Sequence, residues 1–92
     1  MPYIDPVLRE PIKSHLEAAL SSILSIGDLT YAITYLLHRW VMAEPRLSFI
    51  RLSAVLAALE CSKLEFYRTV MAPYEDQKRA ENGPVSHLDR RA

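Results

Sequence analysis

Hydrophobic positions recur every three or four residues along most of this chain, and the recurrence breaks at prolines and glycines, the pattern of a succession of helices. Ile12, Leu16, Ala19, Leu20 and Ile23 keep that spacing, with Lys13, Ser14, Glu17 and Ser21 opposite them. Pro11 suits the first turn of this helix, where a missing N–H loses no partner, and Gly27 suits the left-handed position just past its end. These punctuation marks predict a helix over residues 11–25, with Asp5-Pro6 opening a short turn before it.

Asp28 is placed to cap a second helix over 28–43, since its carboxylate can accept the free N–H groups of the following turn. Leu29, Ile33, Leu36, Leu37 and Trp40 form one stripe of that helix, which predicts a mostly buried Trp40. Tyr31, Tyr35 and Met42 form a second stripe on the other side, with His38 beside it. A helix apolar on two sides is either central in its bundle or covered by a partner.

A third helix is predicted over 48–72, capped by Ser48 and carrying Leu52, Val55, Leu56, Leu59, Phe66 and Val70 on its stripe. Pro73 must kink it or begin a short fourth helix. Residues 74–82 have helix-forming composition but little apolar face beyond Tyr74, and Asn82-Gly83-Pro84 is a strong stop. The expectation is an all-α fold, a small bundle of three main helices with a short C-terminal helical segment. Residues 1–83 form its single helical domain, and residues 84–92 a frayed, flexible C-terminal tail.

With 92 residues there is room for one domain, and 50% hydrophobic with 24% charged residues is a globular composition. Eleven basic residues balance eleven acidic ones, so no net field draws the chain to nucleic acid or to anionic lipid. The lone Cys61 excludes an internal disulfide framework and suits a reducing compartment. The opening Met-Pro-Tyr-Ile-Asp-Pro has neither the basic nor the apolar region of a secretory leader, and no run of residues is long and apolar enough to span a bilayer. The expected location is the cytoplasm, with no membrane contact.

Candidate chemistry is sparse. Lys63 projects into the apolar stripe of the third helix, with Glu60 three residues before it and Tyr67 four after, so the three can form a partly buried hydrogen-bonded group. With His38 facing Glu60 across the bundle, these four residues make a small-ligand or hydrolytic site; a lysine that lays its stem along the core edge and pairs with Glu60 at the surface is the plainer reading. Glu60, Glu65, Glu75, Asp76 and Glu81 invite comparison with the carboxylates of the all-helical, Mg²⁺-dependent nucleotide pyrophosphohydrolases. Those enzymes need carboxylates one turn apart, whereas Glu60 and Glu65 lie about 140° apart around the axis. His15, His38 and His87 are dispersed, with no spacing that suits zinc, and two isolated glycines cannot make a phosphate loop. No catalytic residue, metal or cofactor is expected.

Gly27-Asp28-Leu29-Thr30-Tyr31-Ala32-Ile33-Thr34, Leu59-Glu60-Cys61-Ser62-Lys63-Leu64-Glu65-Phe66-Tyr67-Arg68, Ala72-Pro73-Tyr74-Glu75-Asp76-Gln77-Lys78 and Glu81-Asn82-Gly83 resemble a family of small uncharacterised helical proteins of bacterial and phage genomes. That resemblance implies no activity and transfers no catalytic residue. The expected function is a non-enzymatic interaction module that acts through self-association, as a homodimer with Tyr31, Tyr35 and Met42 in its interface, or by binding another protein. A ligand or hydrolytic site around Glu60, Lys63, Tyr67 and His38 is the alternative.

Overall fold

The computed structural model describes residues 2–90, and among these every regular element is helical. In chain order they are α1 (Pro6–Ala19), a 3₁₀ turn (Leu20–Ser22), α2 (Ile26–Met42), α3 (Phe49–Phe66), a π turn (Tyr67–Met71), α4 (Ala72–Asn82) and a second 3₁₀ turn (His87–Asp89). The chain divides into two units at Leu59 and Glu60, so that α3 contributes to both.

In the first unit α1 begins at Pro6, five residues before the predicted start, and Pro11 lies inside it. Asp5 is the reason: its carboxylate accepts the Val7 N–H at 2.9 Å and caps the helix there. Pro11 is tolerated because the carbonyl it leaves without a donor, that of Val7, stays open to water on an exposed residue. At the other end the helix gives way to the 3₁₀ turn at Leu20, short of the predicted bound.

Gly27 also departs from expectation, for it lies in the first turn of α2 and terminates nothing. Ser25 is the cap: its Oγ accepts the Asp28 N–H at 3.0 Å, while the Asp28 carboxylate accepts the N–H groups of Leu24 and Ser25 at 3.0 and 3.1 Å. Asp28 is thus the third residue of a reciprocal capping box. Ser48 caps α3 as anticipated, its Oγ accepting the Arg51 N–H at 3.2 Å. α2 and α3 lie against each other as a hairpin through Val41 and Val55, the buried apolar side chains among the described residues, at 6% and 9% exposure.

Trp40 is not mostly buried: half of it, 49%, is exposed. Its stripe mates Leu29, Ile33 and Leu36 are exposed as well. Periodicity correctly marked an apolar face, but α3 covers only the flank of α2 that carries Val41.

In the second unit the strain that Pro73 was expected to create is absorbed by the π turn just before it. The Ala72 N–H reaches back to the Tyr67 carbonyl. Widening the turn draws the backbone away from the carbonyl that the proline ring would strike, and Pro73 then falls in the first turn of α4, where it needs no N–H partner. Gly83, with φ at 90°, ends α4. Residues 86–89, within the expected tail, form a capped turn: Asp89 accepts the Ser86 and Val85 N–H groups at 2.9 and 3.1 Å, and Ser86 accepts that of Leu88 at 3.1 Å. Residues 91 and 92 of that tail lie outside the described residues.

Candidate functional site

The hairpin of the first unit is fastened at one point. The Arg51 guanidinium donates to the Trp40 carbonyl, lies over the Trp40 ring at 3.8 Å, and reaches Glu44 at 3.8 Å. This single side chain occupies one of the last carbonyls of α2, supplies a cation to a helix C-terminus and covers one face of the indole. Its Nε is buried with no hydrogen-bond partner.

Beside that fastening an open groove of about 310 Å³ runs between the helices, walled by Leu36, Leu37 and Trp40 from α2 and by Ala54, Val55 and Ala58 from α3. No wall residue is charged. Leu36 and Trp40 are four residues apart, as are Ala54 and Ala58, so a ridge of large side chains stands beside a row of small ones. Leu36 is 55% exposed, Trp40 half exposed, and the two alanines are also open to solvent.

Two further hollows adjoin the hairpin. One, of about 490 Å³, is lined by Leu16, Ala19 and Ile23 with Tyr31, Ala32 and Tyr35. There the two tyrosine rings stack with centroids 5.9 Å apart. The other, of about 340 Å³, holds His38 and Met42 with Leu47 and Leu52. Tyr31 and Tyr35 line the hollow with α1, and His38 and Met42 the one with α3 farther along α2; at 100° per residue all four project within about 60° of one another on that helix. Thr30 and Thr34 donate their hydroxyls back to the carbonyls of Ile26 and Thr30 at 2.9 and 2.8 Å. With those polar groups satisfied within the helix, their presence does not oppose cover on that side of α2.

The other singled-out residues sit in the second unit. Lys63 and Glu60 pair at 3.2 Å with both side chains more than half exposed, 68% and 57%, so the pair is a solvated surface contact rather than the partly buried group considered above. Tyr67 lines a hollow of about 550 Å³ with Glu75, Asp76, Lys78, Arg79 and Asp89. Both of its cations are paired: Arg79 holds Asp76 at 3.1 Å, and Lys78 holds Glu81, which lies outside the lining, at 3.3 Å. His38 belongs to the first unit and Glu60, Lys63 and Tyr67 to the second.

Two carboxyls titrate below their ordinary range. Asp28 is held down by the hydrogen bonds from the Leu24 and Ser25 backbone, and Asp89 by those from Ser86 and Val85. Both effects belong to turn-capping, with no ligand involved. Among the described residues no three of His, Cys, Asp and Glu gather closely enough to hold a metal ion, and no helix is long and apolar enough to cross a membrane.

The residue that sequence reasoning passed over is Arg51, which it counted only as one of several basic side chains. Its position three residues after the cap of α3 gave no local sign that it would reach back eleven residues to Trp40. The small-residue row Ala54 and Ala58 was equally readable as ordinary helix-forming alanine.

Helical in every regular element among the described residues, the chain falls in the class of small helical domains with exposed apolar faces. It belongs to the family described as a domain of unknown function (DUF6899), which it matches over residues 1–85. Neither the curated proteins nor the solved structures contain a match to it.

Proposed function

We propose that the protein is a non-enzymatic interaction module whose first unit is completed by another polypeptide laid against the α2–α3 hairpin. The observation that carries this reading is the half-exposed Trp40 standing with Leu36 beside Ala54 and Ala58, in a groove with no charged wall. A tryptophan left in water forgoes a large part of the burial energy of the largest side chain, and contiguous apolar surface of this kind marks a site of association. Arg51 supports the reading, because it holds the indole in place from one face and leaves the other side of the groove open. The single thiol, Cys61, suits a reducing, cytoplasmic setting, and the motif resemblance suits a bacterial or phage source. The alternative of a ligand or hydrolytic site draws no comparable support, since Glu60 and Lys63 spend their charges on each other in solvent.

The test uses the full chain alone, with light scattering for mass and a fluorescent apolar dye for uncovered surface. Either a mass above 10.5 kDa or strong dye binding is expected. A particle of 10.5 kDa that melts cooperatively and binds no dye would show that the chain covers its own apolar faces, and the reading would fail.

A further inference from the structure

We draw no further inference here: the strongest candidate, the apolar groove between α2 and α3 walled by Leu36, Trp40, Ala54 and Ala58, carries nothing further because nothing in the structure shows what covers it.

Discussion

The two units meet the shortage of core that small size imposes with different chemistry. Among the described residues the first carries one ion pair, Arg51 with Glu44, and otherwise relies on stripes of leucine, isoleucine, tyrosine and tryptophan. The second carries four ion pairs, each between side chains three residues apart on a helix: Glu60 with Lys63, Glu65 with Arg68, Asp76 with Arg79, and Lys78 with Glu81. Pairs of that kind form wherever the helix forms and contribute a few tenths of a kcal/mol each. Stripes contribute several times more, but only when something lies on them. The order of the first unit should accordingly depend on whether its stripes are covered, and that of the second should depend on salt.

The largest blow to this contrast should come from Arg51→Ala. It removes a charged hydrogen bond to the Trp40 carbonyl and the cation over the indole, at a cost of about 2–3 kcal/mol in urea unfolding, discounted for the partnerless Nε. A loss under about 0.5 kcal/mol would mean that the hairpin is held some other way.

Next comes the start of α2. Ser25→Ala breaks the capping box and should cost about 1 kcal/mol. Acid tests the same box. The folded Asp28 carboxyl lies below its ordinary value of 3.8, so its stabilising effect is complete above that pH and is lost as the pH falls through the lower folded value. Amide signals of Leu24 and Ser25 should therefore shift only in strong acid, while Asp28→Asn should remove that late transition.

The two glycines should respond with opposite signs. A methyl group at Gly27 would meet only Ser25 Oγ at 3.6 Å, an ordinary contact in a helical turn, so Gly27→Ala should stabilise by about 0.5–1 kcal/mol. Gly83 stands at φ 90°, and Gly83→Ala should destabilise by about 1 kcal/mol in spite of the open space around it. Thermal melts of the two variants would settle the sign. Had Gly27 ended the first helix, as its place in the sequence suggested, both would destabilise.

The smallest change is expected from Asp76→Asn. It removes a partner of Arg79 from an exposed pair and should cost no more than about 0.5 kcal/mol, vanishing in molar salt.

Much of the fold was legible because it is local. The cap at Ser48, the turn-breaking Asn82-Gly83-Pro84 and the change of helix at Pro73 all follow from interactions within a few residues. Errors arose where two local signals competed. Gly27 and Asp28 read naturally as a stop followed by a cap, but Ser25 outbid Asp28 for the cap, and the aspartate then became its reciprocal partner. Pro11 has the mark of a beginning, but the cap at Asp5 starts the helix about one and a half turns before it. The candidate surface was legible only in part. Spacing showed that α2 is apolar on more than one side, which Trp40, Leu36, Tyr31 and Tyr35 bear out by their exposure. It could not show what covers those sides, since periodicity records a face and says nothing of its neighbour. Nor could it show that Arg51 would bridge two helices.

The π turn has a meaning in the language of insertion and deletion. A turn closed from the Ala72 N–H to the Tyr67 carbonyl holds one residue more than an α-helical path through the same place. Removing one residue from 67–71 would restore an α-helical turn there and leave the α4 side chains facing nearly as they do now, since five residues of a π turn and four of an α-helix each close about one turn. What would return is the clash of the Pro73 ring with the preceding turn. A chain of this family that lacks one residue at this place should be expected to keep the side of α4 that lines the charged hollow and to bend at the proline, so that a single-codon gap there reads as a kink instead of a change of surface.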